Sequence, residues 1–260
     1  MSRTVLITGA SGSMGHEAVR SLAGEGWHVI MACRNLEKGE TVIRDVKAAV
    51  PDAAVDLHHL DLASLASVRS LATALEGRQI DVLFHNAGTI SRDYALTDDG
   101  YERTFQVNCL GPCLLMSLLG PQTGKVVSMV SLTCSLVRID SHYCGDTPDQ
   151  FSQLGTYARA KLGLLLGTLE LARLTGIPFD LADPGIVNSN MITMHRWFDP
   201  LADIFFRPFI STPQKGVAPA LRAIRSDGSS HYHVGKRTKS IPSRFLSSPV
   251  PESITAILHR

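Results

Sequence analysis

Tyr157 and Lys161 stand four residues apart in Tyr157-Ala-Arg-Ala-Lys161. On a helix that spacing puts both side chains on one face. A free tyrosine, with a pKa near ~10, is a poor acid or base at neutral pH. A neighbouring ammonium favours the phenolate and lowers that value. Lowering it by about two corresponds to about 2.7 kcal/mol of differential stabilisation, within reach of one close cation. The pair could therefore act as a tuned general acid/base. Tyr and Lys fall four apart by chance in many helices, so the rest of the chain decides.

The elements that would position such a pair begin at the N-terminus. Thr4-Val-Leu-Ile-Thr8 reads as a buried parallel strand. Gly9-Ala-Ser-Gly-Ser-Met-Gly15 follows at once, then an amphipathic stripe of Ala18, Val19, Leu22 and Ala23, then a second strand, Trp27-His-Val-Ile-Met-Ala-Cys33. Strand, glycine turn, helix and strand within about thirty residues make a dinucleotide-binding βαβ unit. The glycines let backbone N–H groups approach a pyrophosphate, whose charge the helix N-terminus favours. At the end of the second strand an acid would accept the ribose hydroxyls of NAD. This chain has Cys33-Arg34 there, with Lys38 one turn on. A guanidinium can grip a 2′-phosphate bidentately, which points to NADP(H).

With these motifs the chain resembles the short-chain dehydrogenase/reductase family, and the resemblance runs through nearly the whole length. Thr8, Gly9 and Gly15 meet the family's glycine turn, and Leu60-Asp61-Leu62 meets its adenine-contacting acid. Asn86-Ala87-Gly88 matches the turn after the fourth strand, Asn108 the asparagine of the following helix, and Ser131 the serine after the fifth strand. Tyr157 and Lys161 complete a catalytic tetrad with Asn108 and Ser131. Pro184-Gly185, with Val187 and Ser189, matches the turn that closes over the nicotinamide. The resemblance implies cofactor contacts at Gly9, Ser11, Ser13, Met14, Gly15, Arg34, Lys38, Asp61, Leu62, Asn86, Ala87, Gly88, Tyr157, Lys161, Pro184, Gly185, Val187 and Ser189.

Three positions depart from the family pattern. Ser13 replaces the second glycine, His85 stands where an asparagine is usual, and Asp183 precedes Pro184 where His or Asn is commoner. At Ser13 a side chain could crowd the pyrophosphate or add a hydroxyl contact, and sequence does not choose between them. His85 reads as a packing or strand-end position. None of the three removes a catalytic group.

Composition bounds the rest. The chain has 260 residues, 44% of them hydrophobic, and a net charge of +1. Such a chain buries roughly 70–75% of its unfolded surface without a covalent staple. Near-neutral charge gives no electrostatic case for nucleic acid or an anionic membrane. Five scattered cysteines with no Cys-x-x-Cys pair suit a reducing cytoplasm. The first strand begins at Thr4, leaving no space for a signal peptide, and no apolar run reaches the length of a membrane span. The histidines lack ligand spacing, so no metal is expected. His58-His59 would point to opposite faces of a strand.

Strands are expected at 4–8, 27–33, 54–60, 80–85, 124–130, 177–182 and 231–234. Helices are expected to start near Gly15, Asn35, Ser64, Thr97, Thr156 and Pro213. This alternation predicts one α/β domain over 1–260, a Rossmann-type doubly wound parallel sheet of about seven strands with helices on both faces. The tail after Gly235 reads as solvated surface. Two segments should set the substrate. Loop 132–155 separates Ser131 from Tyr157 by 26 positions, about double the family's usual interval, as in retinol-dehydrogenase-like members. Segment 188–211 is rich in Met and aromatic residues, Trp197 and Phe205 among them, and corresponds to the family's substrate lid. That content suits a bulky apolar ligand. Apolar residues all round the helices holding Leu114 and Leu165 suggest a homodimer or homotetramer.

By resemblance the reaction is hydride transfer between NADP(H) and a carbonyl/alcohol pair. Tyr157 exchanges the proton, Lys161 lowers the tyrosine pKa and holds the ribose, Ser131 stabilises the substrate oxygen, and Asn108 holds a water. Protochlorophyllide-type reduction of a carbon–carbon double bond uses the same Tyr and Lys. A non-catalytic NADP(H) sensor is the third reading, and the complete tetrad argues against it.

Overall fold

The computed structural model describes residues 2–185 and 212–259. Seven parallel strands run in chain order: β1 Thr4–Thr8, β2 His28–Cys33, β3 Val55–His59, β4 Ile80–His85, β5 Thr123–Met129, β6 Phe179–Asp183 and β7 His231–Val234. An eighth, β8 Arg237–Ser240, returns antiparallel along β7. The spatial order is β3-β2-β1-β4-β5-β6-β7-β8. The order reverses direction between β1 and β4, the point at which open parallel sheets leave a crevice at the carboxyl ends of their strands.

Period-two alternation distributes the strand side chains between two cores. Leu6, Leu83, Val126 and Leu181 point to one face and Val5, Ile7, Val82, Phe84 and Val127 to the other. The second face is covered by α1 Ser13–Gly24, through Ala18, Val19 and Leu22, and by α7 Pro213–Arg225, through Val217, Ala220 and Ile224. The first face is covered by α3 Leu65–Ala74, α5 Gly111–Leu119 and the long α6 Gln153–Thr175. α4 Arg103–Phe105 joins this set through Phe105, whereas α2 Leu36–Ala49 buries Val42 and Val46 on the second face. α2 and α3 start where expected, with Asn35 accepting the Lys38 N–H at 2.8 Å and Ser64 accepting the Ser67 N–H at 3.2 Å.

Two expectations are corrected. No helix starts at Thr97. Residues 97–101 form a turn closed by the Thr97 N–H on the Tyr101 carbonyl at 2.9 Å, with Gly100 at φ +82°. That conformation suits glycine and is incompatible with a helix. The helix begins at Arg103, where the Glu102 carboxylate accepts the N–H groups of Thr104 and Phe105 at 2.8 and 2.7 Å. Asp99 serves a neighbour instead, accepting the Leu65 N–H at the start of α3 at 2.8 Å.

The tail after Gly235 is also not merely solvated. β8 is exposed, but Ile241 and Phe245 are buried, the latter in α8 Ser243–Leu246. α9 Glu252–Leu258 buries Ile254, Ile257 and Leu258. It packs across α5 and α6: the Ser117 hydroxyl donates to the Leu258 carbonyl at 2.8 Å, and Ile254 lies against Gly163 and Gly167. This explains why α5 and α6 are apolar on several sides. Leu114, Met116, Leu162, Leu164, Leu165 and Leu166 are all buried within the chain.

Candidate active site

The glycine turn leaves the end of β1 and meets the turn that leaves β4. Thr8 Oγ1 accepts the N–H groups of Asn86 and Ala87 at 3.2 and 3.1 Å. Asn86 Nδ2 donates to the carbonyls of Thr8 and Gly9 at 3.0 and 3.2 Å. Gly9, at φ +64°, sits so close that an added Cβ would lie 2.8 Å from Ala87 Cα, and a Cβ at Gly15 would run into the Gly9 carbonyl. No side chain caps α1, so the N–H groups of its first turn keep their anion-binding capacity. Ser13 is exposed there as the first helical residue, and Met14 is half-buried.

Ser11 lies beside Cys33: its hydroxyl opposes the rise that burial imposes on the Cys33 thiol. The turn is thereby set next to the end of β2, where Arg34 and Lys38 are exposed. Asp61 follows β3, half-buried, and accepts the Ala63 N–H at 2.9 Å. Leu62 is buried, in contact with Gly111. A donor-rich glycine cradle, two exposed cations and the buried Asn86 Oδ1, which has no hydrogen-bond partner among the described residues, together fit a dinucleotide phosphate chain.

The proposed tetrad gathers at the carboxyl ends of β4 and β5. Asn108 lies in a π-helical turn, Gln106–Leu110, joining α4 to α5. Such turns redirect side chains and recur at functional sites. Its amide is held on both sides: Nδ2 donates to the carbonyls of Thr89 and Thr104 at 2.7 and 2.8 Å, and Oδ1 accepts the Thr89 N–H at 3.1 Å. Gly88 lies between Asn108 and Lys161, where an added Cβ would come 2.9 Å from Asn108 Oδ1 and 3.5 Å from Lys161 Nζ. Lys161 is 2% exposed and donates to the Met129 carbonyl at 2.9 Å. Burial pulls its pKa down to about 8. Ser131, two residues beyond β5, caps a 3-10 turn, Leu132–Leu136, and accepts the Thr133 hydroxyl at 2.9 Å.

Tyr157 and Lys161 share a face of α6, with Nζ 6.0 Å from the ring centroid. The expected downward pull on the tyrosine is absent from this geometry. Burial, then the Cys134 thiol and the Asp183 carboxyl, push the phenol pKa up. Lys161 directs its ammonium at Met129 instead. Sequence reasoning missed Cys134, which is buried near Tyr157 and Lys161 and has no linear signal marking it. It also missed the Met129 carbonyl, since backbone acceptors leave no trace in residue identity. His85 ends β4, buried, with neither ring nitrogen bonded among the described residues. Burial and then Lys161 lower its pKa to about 3, so it is neutral.

Loop 132–155 is tied to α6. The Asp146 carboxylate is buried and accepts from the Tyr143 hydroxyl at 3.0 Å, Arg159 Nε at 2.8 Å and the Thr156 hydroxyl. Tyr143 stacks edge-on against Phe105 at 5.1 Å. Asp183, Pro184 and Gly185 follow at the end of β6. Val187, Ser189 and segment 188–211 lie outside the described residues.

One group of potential metal ligands is brought together by the fold despite its unremarkable linear spacing. Asp180, His231 and His233 place ligand atoms within 4.8 Å of one another. Lys125 Nζ lies 2.6 Å from Asp180 Oδ2 and donates to the carbonyls of Ala223, Ser226 and Gly228. The resident ammonium already balances the carboxylate, which makes this a charged knot joining β5, β6, β7 and α7.

A model of the short chain dehydrogenase family matches residues 3–196. Human retinol dehydrogenase 11 is 33% identical over 240 residues, covering 87% of this chain and 74% of that protein. Human retinol dehydrogenase 13 is 31% identical over 199 residues, and the chain spans 60% of its length. Among solved structures, an uncharacterized protein from Mycobacterium paratuberculosis superposes with a TM-score of 0.75 at 29% identity, covering 99% of this chain and 92% of that one. A Sphingobium yanoikuyae short-chain dehydrogenase in complex with NADPH has the same fold, with a TM-score of 0.68 at 19% identity over 90% of this chain and 88% of that one. Among the described residues, no helix is long and apolar enough to cross a membrane.

Proposed function

The chain belongs to the short-chain dehydrogenase family and is an oxidoreductase; from that premise we propose that it exchanges hydride between NADP(H) and the carbonyl/alcohol pair of a bulky apolar substrate. The observation that carries this reading is the enclosure of the Lys161 ammonium by Gly88, Asn108 and the Met129 carbonyl, one helical turn from Tyr157.

The glycine turn, with Ser11, Ser13 and Met14, would hold the pyrophosphate. Arg34 and Lys38 would hold a 2′-phosphate, Asp61 and Leu62 the adenine, and Asn86, Ala87 and Gly88 the adjoining ribose. Pro184 and Gly185 would face the nicotinamide, as would Val187 and Ser189. The bound nicotinamide supplies or accepts the hydride. Tyr157 gives its phenolic proton to the developing alkoxide in reduction and takes one from the alcohol in oxidation. Ser131 donates a hydrogen bond to the same oxygen. Lys161 places positive charge beside Tyr157 and holds the nicotinamide ribose, and the doubly held Asn108 amide keeps that region in register. The apolar substrate rests on the composition of segment 188–211 and agrees with relatives named as retinol dehydrogenases.

The expected homodimer or homotetramer would need a face other than α5 and α6, which α9 occupies. Sedimentation at micromolar concentration decides this. A cytoplasmic location is supported by five free cysteines, four of them buried, and is tested by fractionation.

NADPH and NADH oxidation should be followed with a panel of apolar aldehydes and ketones. Turnover with NADPH, and Arg34→Ala weakening NADPH by roughly 1–3 kcal/mol while sparing NADH, is the expected result. Equal affinity for the two cofactors would overturn the NADP(H) assignment. Reduction of activated double bonds but of no carbonyl would overturn the reaction.

A further inference from the structure

Asp183 stands where the family pattern more often has His or Asn, and the structure gives this departure two partners. It is the last residue of β6 and is 2% exposed. Its Oδ1 accepts the Gly185 N–H at 2.8 Å, arching over Pro184, and its Oδ2 accepts the Tyr232 hydroxyl of β7 at 3.0 Å. Gly185, at φ +70°, is in the left-handed conformation that this arch requires. The carboxyl therefore ties the turn that leaves β6 to the next strand. An Asn could keep the Gly185 bond through its Oδ1 and replace the other with a reversed one, Nδ2 donating to the Tyr232 hydroxyl oxygen, but a His could not span both.

We propose that the Asp183–Tyr232 clasp is a positioning device for the reaction: it fixes the Pro184-Gly185 turn at the nicotinamide end of the site and places a negative charge behind Tyr157. The inference rests on the reading of Tyr157 and the 184–185 turn given above. The groups facing the phenol are Lys161 on α6, Cys134 on the 3-10 turn and Asp183 on β6. Behind them lie His85, which is neutral beside Lys161, Tyr232 on β7, and Arg244 on α8, which acts on Tyr232. Burial raises the Asp183 pKa, and its charge in turn opposes ionisation of both Tyr157 and Tyr232. A phenol kept protonated is in the form that carbonyl reduction consumes. The clasp thus keeps Tyr157 in its proton-bearing form further into the alkaline range.

Three variants separate the parts. Asp183→Ala loses both bonds, Tyr232→Phe loses one and keeps the charge, and Asp183→Asn keeps two bonds, the one to Tyr232 reversed, and loses the charge. NADPH affinity, read by quenching of intrinsic fluorescence, should fall about tenfold in Asp183→Ala, the worth of one or two buried hydrogen bonds, fall less in Tyr232→Phe, and be restored in Asp183→Asn. The alkaline limb of kcat for carbonyl reduction should move to lower pH in Asp183→Asn and stay in place in Tyr232→Phe. Should Asp183→Ala fail to fold, Tyr232→Phe and Asp183→Asn carry the test. Unchanged NADPH affinity in Asp183→Ala, or in Tyr232→Phe where only that variant folds, overturns the clasp, and an unmoved alkaline limb in Asp183→Asn overturns the charge. A parent protein that binds NADPH but reduces no carbonyl would sink the proposed reaction, while the affinity series would still decide the clasp.

Discussion

Lys161→Met should make the cofactor-free protein more stable and useless as an enzyme. Lys161 is 2% exposed, and burial lowers its pKa from the ordinary 10.5 to about 8. At pH 7 it is charged in both folded and unfolded chains, and the folded chain bears the cost of holding that charge out of water. A displacement of that size corresponds to about 3 kcal/mol. Methionine fills a similar volume without charge, but the Met129 carbonyl loses its ammonium donor, at about 1 kcal/mol. The net expectation at pH 7 is a gain of about 2 kcal/mol. Between pH 8 and 10.5 the unfolded parent binds more protons than the folded parent, so parent stability rises with pH. The variant has no such dependence, and its advantage shrinks across that window and is gone above 10.5. Urea denaturation of both proteins without cofactor at pH 7, 9 and 10 measures this. A variant less stable than the parent at pH 7, or a difference that stays flat with pH, would refute the argument that Lys161 is a strained buried charge retained for function.

Tyr157→Phe should lower kcat by roughly a thousandfold while NADPH still binds; steady-state turnover within about tenfold of the parent would assign the proton to another group. Gly15→Ala forces a Cβ into the Gly9 carbonyl and within 2.8 Å of Ala10 Cα, so the glycine turn must shift. A loss of about 1–3 kcal/mol in stability and a weaker NADPH complex are expected by thermal melt and fluorescence titration, and normal binding would mean the turn does not cradle the phosphates. Asp146→Ala strips Tyr143, Thr156 and Arg159 of their shared acceptor. It should cost about 3 kcal/mol in urea denaturation, and a change under ~0.5 kcal/mol would show that loop 132–155 is held by its aromatic contacts alone.

Residue types alone determined a good deal of this molecule. Continuous apolar strands separated by amphipathic helices permit little other than a parallel sheet covered on both faces, because a strand such as Val5-Leu6-Ile7 must bury both sides. Gly9 and Gly15 were legible because backbone is packed where a Cβ would stand, and Tyr157 and Lys161 because helical spacing is local. Contacts between distant segments were decided by the tertiary structure. The helix expected at Thr97 gave way to a turn because Gly100 takes a positive φ and Asp99 caps a helix distant in sequence. The last residues looked like solvated tail because α9 is short and finds its partners, α5 and α6, only after the chain folds back. The sign of the Tyr157 perturbation also escaped the sequence. A lysine four residues away is visible in a string of letters, whereas the burial, the Cys134 thiol and the Asp183 carboxyl that raise the phenol pKa arrive from other elements. Electrostatics at a buried site depends on everything packed around it, and only folding brings those groups together.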